Sequence, residues 1–84
     1  MASGREQAGT QKRSLTIAGH RTSISLEPVF WEALKRAADD EGKSLAALVA
    51  EIDEGRATGL SSAIRVWLFA RERARAAATV AASD

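Results

Sequence analysis

Thr22-Ser23-Ile24-Ser25-Leu26 alternates polar and apolar side chains. Period-two alternation predicts a β-strand with one covered and one open face. Ile24 and Leu26 share a face with Thr22, while Arg21, Ser23 and Ser25 share the other. Pro28 ends the strand and suits the first position of a helix. From there the period becomes helical. Phe30, Leu34, Ala37 and Ala38, with Trp31 beside them, predict a helix from about Pro28 to Glu41. Asp39-Asp40-Glu41 crowd its last turn, where the helix dipole disfavours negative charge, and Gly42 supplies a C-terminal stop. Ser44 is a good N-cap for a second helix, along which Leu45, Leu48, Val49 and Ile52 recur at i, i+3, i+4 and i+7. Residues 53–59, DEGRATG, break it with two glycines. A third helix is expected from Leu60 or Ser61, with Ala63, Ile64, Trp67 and Leu68 on its apolar face. It continues through ARERARAAA, where helix propensity is high, and frays at VAASD.

Upstream of the strand the pattern is thinner. Residues 1–13 are rich in Gly, Ser, Gln and charge without periodicity, and read as a flexible basic arm. Ser14-Leu15-Thr16-Ile17-Ala18 suits a short extended piece, which Ala18-Gly19 breaks. The division expected is therefore an arm over 1–13, a core over 14–55 and a C-terminal helix over 56–84. Residues 20–26 are left without an evident partner strand, yet a strand's N–H and C=O groups need partners. The expectation is that they find them in the same strand of a second copy, antiparallel about a two-fold axis. Such a dimer shares one core, so each chain alone would be largely unfolded.

Composition narrows the function. With 84 residues, 45% hydrophobic and 27% charged, this is one small soluble-type domain with a limited core. It has no cysteine and a single histidine, His20, so disulfides and thiol metal sites are excluded and no metal is expected. Oligomerisation is the remaining way to add buried surface. Net charge is +1, but residues 1–21 carry Arg5, Lys12, Arg13 and Arg21 against Glu6 alone. Residues 27–54 are acidic overall and the chain turns basic again from Arg56. No apolar run approaches the roughly 20 residues needed to span a bilayer, and the N-terminus lacks the apolar segment of a secretory signal, so a cytoplasmic protein is expected. Nothing points to an enzyme. The one carboxylate cluster, residues 39–41, has no histidine or metal-ligand spacing beside it, and no phosphate-binding or nucleophile motif occurs. No cofactor is expected.

The order strand, helix, Gly-Lys-Ser turn, helix resembles the ribbon-helix-helix family, the Arc and MetJ type of DNA-binding protein. The resemblance is carried by TSISL, the Pro28 boundary, FWEALKRAADDEG and the turn GKSLAALV. It is nearest to short bacterial members in which a third helix follows, opened here by Leu60-Ser61-Ser62-Ala63-Ile64-Arg65. The resemblance implies a mainly α fold with one short strand (α+β), an intertwined homodimer with a two-stranded antiparallel ribbon. It implies a dimer core of Ile24, Leu26, Phe30, Trp31, Leu34, Leu45, Leu48, Val49 and Ile52. The ribbon would enter the major groove of double-stranded DNA, with Arg21, Ser23 and Ser25 toward the bases and Lys43 and Ser44 on phosphates. Transcriptional regulation would follow, with higher-order assembly on DNA open.

Blander readings stand beside these. Arg21, Ser23 and Ser25 also suit a solvated strand face. Ser44 is an N-cap in either case, Lys43 suits a surface lysine, and His20 suits a turn. Trp31 and Trp67 read as core or interface anchors. A function of another class is also open: an antitoxin-like dimeric module whose segment 60–82 binds a partner protein.

Overall fold

The computed structural model describes residues 9–83, with side chains described to residue 79. Two strands, β1 (Gln11–Ile17) and β2 (His20–Leu26), are followed by three helices, α1 (Pro28–Asp40), α2 (Leu45–Glu54) and α3 (Leu60–Ser83). The strands form a two-stranded antiparallel sheet in register from Gln11 opposite Leu26 to Ile17 opposite His20. This is an α+β ribbon-helix-helix arrangement: a ribbon, then helices laid on one of its faces.

The strand left without a partner has one in its own chain. Ala18 (φ 53°) and Gly19 (φ 84°) both lie in the left-handed region, the backbone of a two-residue type I′ hairpin turn. The turn folds β2 back on β1, so its hydrogen bonding along that edge needs no symmetry mate. The expectation that β2 has no partner strand in its own chain is corrected here. So is the span of the arm: Gln11, Lys12 and Arg13 belong to β1. Gly9 and Thr10 precede β1 as exposed residues, and the rest of the expected arm, residues 1–8, lies outside the described residues.

The strand faces sort as the alternation predicts. Ile17, Ile24 and Leu26 are buried, and Leu15 and Thr22 are half-buried beside them. They meet Trp31, Leu34, Ala37 and Ala38 of α1, Leu48, Val49 and Ile52 of α2, and Ile64 and Leu68 of α3. Each fully buried Val, Leu or Ile side chain among them contributes about 1.5–3 kcal/mol. Of the expected core residues, Phe30 and Leu45 are only half-buried, as is Trp67. All of them pack within a single chain.

The helix ends are built locally. The α1 terminus closes with Gly42 at φ 67°, its N–H donating to the Asp39 carbonyl and that of Lys43 to the Ala38 carbonyl. This reverses the chain and satisfies the last carbonyls of the helix. Ser44 Oγ accepts from the Ala47 N–H at 3.1 Å and caps α2. The acidic run that the α1 dipole disfavours is neutralised from elsewhere: Asp40 pairs with Arg71 and Arg75 of α3, and Glu41 with Lys43 and Arg71. α3 remains helical to Ser83, through residues expected to fray, while Asp84 lies outside the described residues. Among the described residues, no helix is long and apolar enough to cross a membrane.

Candidate nucleic-acid interface

The two-residue turn dictates which side chains leave the sheet together. Cross-strand partners share a face. Lys12 with Ser25, Ser14 with Ser23, and Thr16 with Arg21 therefore form the face opposite the core. All but Ser25 are exposed. This outward face carries two cations, Lys12 and Arg21, and no carboxylate. Neither cation has an ion-pair partner among the described residues. Ser14 Oγ and Ser23 Oγ lie 3.5 Å apart at its centre. It is a polar, positively charged ribbon of donors and acceptors, held rigid from below by the core.

Two inward-register positions of β1 are polar and are accommodated at the rim. Arg13 lies over the Trp31 ring, 5.1 Å from its centroid. Trp31 Nε1 donates to the Gln11 carbonyl at 2.9 Å. This indole therefore fills the core below the hairpin and ties the start of β1 to α1.

The turn also fixes which backbone groups stay open. With Ile17 and His20 flanking a two-residue loop as a bonded pair, the bonded pairs recur at alternate residues. The N–H and C=O groups of Arg21, Ser23 and Ser25 then point away from β1, along the free edge of β2. The Ser25 carbonyl accepts Ser61 Oγ at 2.9 Å, which docks the start of α3 against this edge and leaves Ser25 half-buried. One turn on, Arg65 Nε donates to Glu27 Oε1 at 3.0 Å and its guanidinium lies over Phe30. A hydrogen bond from its own backbone N–H, and then that from Arg65, hold the Glu27 carboxyl below the ordinary carboxylate range. Val29 at the start of α1, and Val66 and Phe69 on the outer side of α3, are exposed apolar side chains.

Of the expected site residues, Arg21, Ser23 and Ser25 are brought onto one face. Lys12, Ser14 and Thr16 join them there, unforeseen, because the alternation of β1 is masked by Gln11 and Arg13. Lys43 and Ser44 lie instead in the α1–α2 turn, with no hydrogen bond or ion pair to the hairpin among the described residues. Lys43 Nζ is held by Glu51 at 2.6 Å and Glu41 at 3.2 Å, Glu51 first, and these bonds push its pKa above the ordinary value. A phosphate at this turn would have to compete with two carboxylates. His20 is exposed at the turn end of the hairpin, where Asp53, Arg56 and Leu60 help line an open cleft. Arg56 there donates to Asp53 at 2.5 Å and to the Thr58 carbonyl at 2.8 Å. No group of three or more His, Cys, Asp or Glu placed to hold a metal ion occurs among the described residues.

Comparison with known proteins agrees with this architecture. The model of a ribbon-helix-helix domain family matches residues 10–71. Among solved structures, the chain is similar to an uncharacterized protein from Bordetella pertussis Tohama I. The TM-score is 0.73 and the identity 26%, over 88% of this chain. The chain spans 64% of the length of that protein. No curated protein matches it.

Proposed function

The chain belongs to the ribbon-helix-helix domain family, the match taking in both strands, α1, α2 and the first half of α3, and on that premise we propose that it binds double-stranded DNA and regulates transcription. The observation that carries this reading is the outward face of the hairpin. It is a two-stranded ribbon, cationic and free of carboxylates, with a side-chain lattice of Arg, Lys, Ser and Thr. Such a strand face fits against the base edges in the major groove of B-DNA, and an Arg there bonds guanine in a bidentate way. Arg21 is the principal base reader, with Ser23 beside it. Ser25, drawn toward α3, contributes less.

Members of this family commonly dimerise. In this chain the dimer forms through the free edge of β2, where the N–H and C=O groups of Arg21 and Ser23 await a second strand. Val29, Val66 and Phe69 offer apolar surface on the elements that adjoin that edge. Two copies joined there set β2 beside its symmetry mate and display Arg21 and Ser23 in duplicate. Lys43 and Ser44 sit at the N-terminus of α2, whose N–H groups favour phosphate, and Lys43 reaches DNA by exchanging Glu41 and Glu51 for a phosphate. The cytoplasm is the matching compartment for this function.

The test is selection from random duplexes with the full chain, followed by binding of the enriched duplex in a salt series. An enriched motif and an affinity that falls steeply with salt are expected. Failure to enrich any motif, together with elution from a DNA column at low salt, refutes the reading. A second reading is favoured by α3, whose residues 72–79 are all exposed and which carries Val66 and Phe69 on its outer side. In that reading the segment 60–82 binds a partner protein, as in antitoxins. A protein that co-purifies with the chain and is lost on Phe69→Glu would favour it.

A further inference from the structure

The dimer just described has four strands, in the order β1, β2, then β2 and β1 of the second copy. Such a sheet is wider than the element that a major groove admits. Neighbouring strands lie about 4.8 Å apart, so the two β2 strands run about 2.4 Å from the symmetry axis and the two β1 strands about 7.2 Å from it. The groove is about 12 Å wide, which puts its walls about 6 Å from the same axis. The inner strands fall inside the groove and the outer strands fall over its walls, where the phosphates are.

On the reading of the hairpin as a DNA-binding element, we propose that the two strands of each chain divide the work. β2 reads bases and β1 grips the phosphate backbone, with Lys12 as its charged contact and Ser14 and Thr16 as hydroxyl donors. The side chains suit this division. β1 presents an ammonium and two hydroxyls, which satisfy a phosphate as point donors, whereas β2 presents the planar guanidinium of Arg21, the better reader of a base edge. Lys12 is exposed and has no ion-pair partner among the described residues, so its charge is free for a phosphate. Lys43, between Glu41 and Glu51, is not. β1 thereby supplies a phosphate contact that needs no exchange of ion-pair partners, beside the one that the family resemblance implies at the α2 terminus.

Binding of the full-length chain to the selected duplex and to a scrambled one, over a salt series, tests this with Lys12→Ala and Arg21→Ala. Both residues are exposed, and circular dichroism checks that each variant stays folded. Lys12→Ala is expected to weaken binding to both duplexes by the same factor. It should also reduce the slope of log affinity against log salt by about 2 per dimer, at about 0.9 for each of two lost contacts. Arg21→Ala is expected to narrow the affinity ratio between the duplexes by at least about 30-fold, at about 1–3 kcal/mol for each of two lost contacts. If Lys12→Ala narrows that ratio instead, β1 lies within the groove and a single hairpin is the reading element. If it changes neither affinity nor slope, β1 does not touch DNA. Both results overturn the division of labour while leaving DNA binding in place. A wild-type chain that binds no duplex overturns the DNA-binding reading itself.

Discussion

The hairpin turn is where the fold is most directly testable, because two residues decide whether β2 pairs within its chain. Ala18 sits at φ 53°, a conformation that costs an L-residue with a Cβ about 1–2 kcal/mol relative to the right-handed region. Asn tolerates it better through local hydrogen bonding, and Asn-Gly is the preferred type I′ pair. Ala18→Asn should therefore stabilise the protein by about 0.5–1 kcal/mol. For a domain of this size each kcal/mol moves the midpoint about 4–8 °C, so a rise of about 2–8 °C is expected. Gly19→Ala should act in the opposite direction. An added Cβ there meets nothing within 4 Å, so the loss, about 1 kcal/mol, comes from backbone strain at φ 84° alone. Ala18→Val, β-branched at positive φ, should lose more than Gly19→Ala. Thermal unfolding by far-UV circular dichroism at one fixed protein concentration reads all three. If Ala18→Asn gives no gain and Gly19→Ala is neutral, residues 18 and 19 do not form a tight turn. The pairing of β1 with β2 in one chain would then be wrong.

Other expectations follow from single contacts. Trp31→Phe keeps most of the ring but removes the bond to the Gln11 carbonyl and weakens the stack under Arg13, so urea titration should show a loss of about 0.5–1.5 kcal/mol. No loss would mean that this indole does not anchor β1. Ser44→Ala removes the α2 cap and should cost about 1 kcal/mol in the same titration, with Ser44→Gly recovering most of it. Glu27 has a folded-state pKa below its unfolded value of 4.5, so its contribution to stability is present above that pH and is lost as pH falls through the folded value. Glu27→Gln should accordingly flatten the acid limb of stability against pH. Lys43 is the reverse case, its folded pKa lying above 10.5. Its contribution is present below that value and is lost as pH rises through the folded one, so Lys43→Met should flatten the alkaline limb.

Much of the secondary structure is legible in the chain because its causes are local. The bounds of α1 and α2, the Gly42 reversal and the Ser44 cap all rest on residues within a few positions of one another. The two faces of β2 follow from alternation alone, since a side-chain period of two admits one assignment once Ile24 and Leu26 are buried. The family resemblance rests on the same local order.

What tertiary structure decided is the partner of β2, and with it half of the outward face. Positions 11 and 13 fall on the inward face of β1 yet hold Gln and Arg, so the strand does not show its period. Trp31 makes those residues acceptable, by donating to the Gln11 carbonyl and lying under Arg13, from 20 residues further along for the hydrogen bond. The turn hides itself for a related reason: Ala stands where Asn or Asp would announce a type I′ bend, and only the gain from closing the sheet over the core holds it at positive φ. The fate of residues 39–41 is likewise non-local, because the cations that neutralise Asp40 and Glu41 include Arg71 and Arg75 on α3. Local propensity and periodicity are properties of a short window and can be read from it. Compensation of an unfavourable residue by one far along the chain exists only after the chain has folded.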